Sequence, residues 1–279
     1  MTNSNSIRMN LTANSVENEI RLLLSVPKNK YATMVLLEGI DDIKLFFSLV
    51  NNENTYLFES YGGKLGIKNI LSKFTSDYRV IGIADRDYET KNIPKLFYCD
   101  YCNAEMMIAS NDDSLSYTLF QITSNWLNIS ELRTRVLDKL FYLSVIRKLN
   151  EEICWGISFE EVPLNEIIIN HNDLYRIITL INLKNRSNKL ECDRISLIES
   201  EVKRLAGQNY LNYTNGHDFC KGMLKELKNL YPHTRSIRCL NANEFSCLFR
   251  MGYVKKYFKE SNLYKALESY QIEHNLNIV

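Results

Sequence analysis

The chain is short of several things at once. Its 279 residues include four prolines and ten glycines, and no apolar run long enough to cross a bilayer. Neither sign of charge dominates: Lys+Arg 34 against Asp+Glu 33 leaves a net +1. There is thus no overall pull toward nucleic acid or acidic lipid, and a nucleic-acid role requires a local basic face. The opening MTNSNSIRMNLTANS lacks the apolar centre of a secretory signal, so a cytoplasmic protein is expected. Seven cysteines, an odd number, contain one C-x-x-C pair, Cys99 and Cys102, and no second pair to complete a zinc site. Reduced thiols are the expectation.

What is present suffices for real cores: 45% of residues are hydrophobic, enough for one large domain or two modest ones. TANSVENEIRLLLS (12–25) opens with capping residue types and carries apolar residues at helical spacing. TMVLL (33–37), YLFES (56–60), RVIGIA (79–84) and KLFYC (95–99) read as strands. Between them IDDIKLFFSLV (40–50) and a stretch from Leu65 to about Phe74 read as helices. Helical connections of this kind favour right-handed crossovers and a parallel sheet. The expected fold class is therefore α/β. After Asp100 the texture turns helical: 103–121, expected to pack on the sheet, then 129–149, 172–183, 190–206, 217–230 and 242–270. The expected division is 1–125 and a mostly helical 126–279.

Two places carry candidate chemistry. In "VIGIADRDYET" (80–90) a buried strand ends in Asp85 and Asp87. Alternate residues of an extended segment share a face, so both carboxylates are predicted to point into one volume. Their repulsion is unfavourable unless a cation sits there or one acid holds a proton. In "LLEGIDD" (36–42) Glu38 ends another strand, and Gly39 lets the chain turn into a helix. In an open parallel sheet ligands bind beyond the carboxyl ends of the strands, which puts Glu38, Asp85 and Asp87 at one crevice. Hard cations such as Mg²⁺ take carboxylate oxygens, water and phosphate. For Asp42, four residues after Glu38, a metal ligand and a charge complementing the helix N-terminus both stand; Asp41 reads as the latter.

A Glu-Gly strand end, an alternating α/β segment and then D-x-D resemble the TOPRIM fold of topoisomerases, primases and OLD-family nucleases, over residues 30–110. The acid at Asp42 resembles the OLD-type variant, which uses it as an extra metal ligand. "VLLEGIDDIKLFF", "YGGKLGIKNIL", "IGIADRDYE", "CDYCNAEMM" and "NGHDFCKGML" together resemble a bacterial TOPRIM-like family that includes AriB, the effector of PARIS anti-phage systems. That resemblance implies a TOPRIM-like Rossmannoid sheet flanked by helices and followed by a helical domain. It also implies Glu38, Asp85 and Asp87 as catalytic acids, and Glu105 as a further metal ligand. The implied activity is a Mg²⁺-dependent endonuclease, with Mn²⁺ as a substitute. Its substrate would be nucleic acid, RNA such as tRNA or DNA, and an ABC-type ATPase partner would hold the toxic effector inactive. A homodimer is expected, because one small crevice grips a long polyanion poorly.

Other marks are weaker. Lys64, after Gly62-Gly63 at a helix start, reads as a phosphate-binding residue or a solvated lysine. Glu105 sits early in a helix, where an acid is ordinary. His217-Asp218 reads as a cap with a packed imidazole, and His171, His233 and His274 receive no role. Arg133, Arg135, Lys139, Arg147 and Lys148 form a basic helical face, solvated by default but able to track a backbone. An aspartate-nucleophile phosphatase would show D-x-D-x-T, whereas position 89 is Glu. A receiver domain would carry paired acids where this chain has Glu-Gly. The non-enzymatic alternative is a regulatory protein that docks a partner through its helical half.

Overall fold

The computed structural model describes residues 13–279; Thr12, where the first helix was expected to start, lies outside them. By contacts the chain falls into two compact units, one running to Asp100 and resuming at Val254–Val279, the other Tyr101–Tyr253. This differs from a single boundary near 125. Residues 101–125, expected in the sheet domain with 103–121 packed on the sheet, count with the helical unit, and the last 26 residues return to the sheet unit.

The first unit holds α1 (Ala13–Ser25), β1 (Thr33–Leu37), α2 (Ile40–Phe47), β2 (Thr55–Glu59), α3 (Gly63–Leu71), β3 (Val80–Ala84) and β4 (Leu96–Tyr98). The chain returns as α13 (Lys255–Phe258) and α14 (Asn262–His274). The four strands form one parallel sheet in the order β2-β1-β3-β4. The two central strands, TMVLL and VIGIA, are buried at every position, as expected of strands covered on both faces. Val16 and Ile20 of α1 and Ile67, Ile70 and Leu71 of α3 join Met34, Leu36, Val80 and Tyr98 in one core. On β3 a Cβ at Gly82 would stand 2.4 Å from Ile67 Cγ2 and 3.0 Å from Leu96 Cδ1, so glycine is what lets α3 lie this close to the strand. The returning C-terminus is tied down by polar and aromatic contacts. Asp100 accepts the N–H groups of Asn262 and Leu263 at 2.8 and 2.9 Å, and Phe46 meets Phe258 edge-on at 6.0 Å.

This order positions the site. From β1 the chain steps outward to β2, then crosses back over β1 to place β3 on its other side. The carboxyl ends of β1 and β3 are therefore neighbours whose connections leave in opposite directions, the switch point where α/β sheets form a crevice.

The second unit contains α4 (Ala104–Ser110), α5 (Asp112–Thr123), α6 (Ile129–Ile153), α7 (Leu164–Ile169), α8 (Leu174–Lys184), α9 (Cys192–Leu205), α10 (Gly216–Leu230), α11 (Arg235–Cys239) and α12 (Ala242–Met251). The expected helix 103–121 is two, because Asn111 is extended and its side chain accepts the Ser114 N–H at 2.8 Å, starting α5 afresh. The expected helix 242–270 is three: Val254 is extended, and Ser261 caps α14 by accepting from Tyr264 at 3.0 Å. The short helices α7 and α11 were not expected. All seven cysteines are free thiols. No helix among the described residues is long and apolar enough to cross a membrane.

Candidate active site

Glu38 leaves the end of β1 half-buried. Its Oε1 accepts the backbone N–H of Asp85 at 2.9 Å, and its carboxylate also accepts the backbone N–H of Lys64 in the first turn of α3. One side chain thus ties the ends of β1 and β3 to a helix N-terminus. The route to that helix passes through Tyr61, Gly62 and Gly63, all at positive φ (49°, 156° and 56°). Two glycines make such a reversal inexpensive. Gly63 lies against the acid: a Cβ there would be 3.5 Å from Glu38 Oε2.

Asp85 and Asp87 reach the same edge by a different device from the one expected. The strand ends at Ala84, and Asp87 sits in a turn with φ 47°, a left-handed conformation that Asp tolerates better than most residues. The turn, rather than strand alternation, directs the second carboxylate. Its Oδ2 accepts from Lys64 Nζ at 2.5 Å, and the same ammonium lies 3.5 Å from the Arg86 carbonyl. One helical turn along α3, Lys68 Nζ pairs with Glu89 at 2.5 Å. Two lysines at i and i+4 therefore clamp two acids at i and i+2 of the D-R-D-Y-E loop.

The charges are unevenly compensated. Burial pushes the Glu38 carboxyl above the ordinary carboxylate range, with a smaller push from Asp87, while the Asp85 amide and the Lys64 charge pull the other way. Loss of water is a larger cause than the neighbouring aspartate. For Lys64 burial pulls the ammonium down, but the pair with Asp87 and the charges of Glu38 and Asp85 outweigh it, and the net shift is upward. Lys64 is the shared cation of three acids.

Of the remaining expected residues, Asp42 sits in the first turn of α2, where its Oδ2 accepts the Gly39 N–H at 3.1 Å and so satisfies a free donor at the helix start. Asp41 pairs with Lys44 at 2.9 Å on the surface. Glu105 belongs to the helical unit, where Arg250 donates two N–H groups to its Oε1 at 3.0 and 2.5 Å. The structure so brings together Glu38, Lys64, Asp85 and Asp87, and gives Asp42 and Glu105 other partners. No group of three His, Cys, Asp or Glu side chains among the described residues already gathers in metal-holding geometry. In "NGHDF" the cap is Asn215, which accepts the Asp218 N–H at 3.2 Å; Asp218 holds Arg147 at 2.6 and 3.0 Å, and His217 is exposed rather than packed.

Sequence reasoning missed Lys68, Glu89 and Tyr98. The Tyr98 hydroxyl is buried without a hydrogen-bond partner among the described residues, and Arg86 lies over its ring at 5.3 Å. Burial raises its pKa, and the charges of Glu89, Lys68, Lys64 and Arg86 all act on it. The lysine at i+4 from Lys64 was the available signal. Compared with known proteins, the chain matches no family model and no curated protein.

Proposed function

We propose that this chain is a metal-dependent phosphodiesterase of the TOPRIM type, an endonuclease acting on RNA such as tRNA, or on DNA. The observation that supports it is the meeting of Glu38 with the Asp85–Asp87 segment at the carboxyl edge of β1 and β3, with a lysine ammonium lodged among the acids. The donor set suits Mg²⁺ or Mn²⁺: three carboxylates, all hard oxygen ligands, one of them undercompensated enough that burial raises its pKa. The Lys64 ammonium takes the cation's place, and Glu38, Asp85 and Asp87 would hold the ion once it withdraws. A bound ion of this kind polarises the phosphate and lowers the pKa of an attacking water.

The chain's own residues supply the rest. Glu38, whose pKa burial raises, can carry a proton to or from the reacting oxygens. Lys64, freed from Asp87, neutralises a phosphate at the start of α3. In the resemblance on which this reading draws, the enzyme is a toxic anti-phage effector; an ABC-type ATPase, a second copy of the chain and the cytoplasm are its proposed partners and place.

The test is cleavage of end-labelled tRNA, single-stranded RNA and duplex DNA with Mg²⁺ or Mn²⁺. Glu38→Gln should lower cleavage at least ~100-fold with an unfolding midpoint no lower than the parent's. Retained cleavage by the variant, or none by the parent on any substrate, overturns the reading. One observation favours the rival, a non-catalytic partner-docking protein: Lys64 and Lys68 already neutralise Asp87 and Glu89 within the chain. On that reading Mg²⁺ leaves the unfolding midpoint unmoved.

A further inference from the structure

The basic face expected to track a nucleic-acid backbone is not available for it. Arg133 pairs with Asp112, Arg135 with Glu131 and Glu226, Lys139 with Glu226 at 2.8 Å, Arg147 with Asp218 at 2.6 Å, and Lys148 with Glu152 and Glu201 at 2.5 and 2.9 Å. Each of these charges on α6 is spent on an internal carboxylate. The groove at α10 differs. Lys221, Lys225 and Lys228 line a cavity of about 500 Å³ between the start of α7 and the start of α12. Neither Lys221 nor Lys225 has an acidic partner within ion-pair distance among the described residues, and Lys228 Nζ donates to the Leu240 carbonyl at 2.7 Å, also not to an acid. The one carboxylate among the lining residues is Glu166.

The spacing follows from the helix. The opposite face of α10 is buried through Phe219, Met223 and Leu227, which leaves positions 221, 225 and 228 in a row. At 1.5 Å per residue that row spans roughly 10 Å, with about one turn between charges. A row of regularly spaced point charges matches a periodic polyanion better than a single phosphate. Lysine, a flexible point charge, grips backbone phosphates without reading bases.

We propose that this groove binds the phosphodiester backbone of a single-stranded nucleic acid, independently of sequence. The choice of nucleic acid over an acidic protein rests on the nuclease reading of the acids; the binding itself does not require cleavage. The experiment therefore uses full-length chain carrying Glu38→Gln, in EDTA, with a fluorescent single-stranded RNA oligonucleotide followed by anisotropy across a salt series. Failure of the nuclease reading leaves this measurement intact. Lys221→Gln/Lys225→Gln should weaken binding roughly 20-fold at 0.1 M salt and flatten the slope of log K against log salt by about 1.4, two single-strand phosphate contacts. Glu166→Gln should tighten it. The same loss of two charges at Lys189 and Lys203, elsewhere on the helical unit, should leave the slope unchanged. An unchanged slope in the Lys221/Lys225 variant, an equal loss in the Lys189/Lys203 control, or equal binding of an acidic peptide overturns the proposal. Because Lys221 and Lys225 make no ion pair among the described residues, their double variant should keep the parent unfolding midpoint.

Discussion

The two units treat buried acids in opposite ways. In the helical unit each has its own cation: Glu105 takes two N–H groups from Arg250, Asp218 two from Arg147, and Glu226 sits with Lys139. Glu201, hydrogen-bonded by Arg204 and Lys148, has its carboxyl held down at about 2. At the sheet edge three acids share one lysine, and Glu38 is pushed up instead. Acids that hold helices together are neutralised in place. An acid left short of positive charge, whose pKa is raised rather than lowered, is better suited to take a proton or a cation than one neutralised in place.

The largest expected effect breaks the helical side of this contrast. Arg250→Met leaves Glu105 charged and buried, and should cost about 3–5 kcal/mol of stability in urea unfolding. The double variant Glu105→Gln/Arg250→Met should recover much of that, since the penalty comes from the stranded charge. A cost near zero for the single variant would mean that Glu105 finds another cation, as a ligand residue would, and the contrast between the units would fail there.

A smaller effect sharpens the sheet side. Lys64→Met removes the shared cation and should cost on the order of 1–2 kcal/mol at neutral pH, discounted because the pair is partly solvated. If the ammonium stands where a metal would, millimolar Mg²⁺ should raise the unfolding midpoint of this variant more than that of the parent. Equal shifts in both would separate Lys64 from any cation site.

How much of this was legible in the sequence depends on the distance between partners. The strands and the acids at their ends were, because β1 and β3 are continuous apolar runs whose burial follows from composition alone. The break at Asn111 was written locally, in an Asn followed by Asp112 and Asp113, but competed with unbroken apolar spacing. The return of the C-terminus was not legible: the amides of Asn262 and Leu263 find Asp100 more than 160 positions away in sequence. Glu105 was likewise opaque, since an acid in a first turn looks the same whether its partner is a helix dipole or Arg250, 145 residues on. Lys64 lay between these cases. Its place at a helix start was visible, but its partner Asp87 depended on a left-handed turn that the strand period does not encode.

The smallest effect is a matter of sign, and tests the contrast most directly. In the folded chain Glu38 titrates above its ordinary value, mainly through burial and partly through Asp87, against the pull of the Asp85 amide and Lys64. Between the ordinary and the raised pKa the folded state holds a proton that the unfolded chain has released, so this group's contribution falls as pH rises through that window. Glu38→Gln, which never ionises, should therefore be more stable than the parent at pH 7 in metal-free buffer, the gain fading below the ordinary carboxylate range. Glu201 is the mirror case. Its lowered carboxyl contributes stability that is full above the ordinary pKa and is lost as pH falls toward 2, so Glu201→Gln should be less stable than the parent at pH 7 and converge with it in acid. Urea midpoints of the two variants from pH 3 to 8 should depart from the parent in opposite directions. Departures of the same sign would mean that both carboxylates are scaffold, and that the sheet edge holds no charge in waiting.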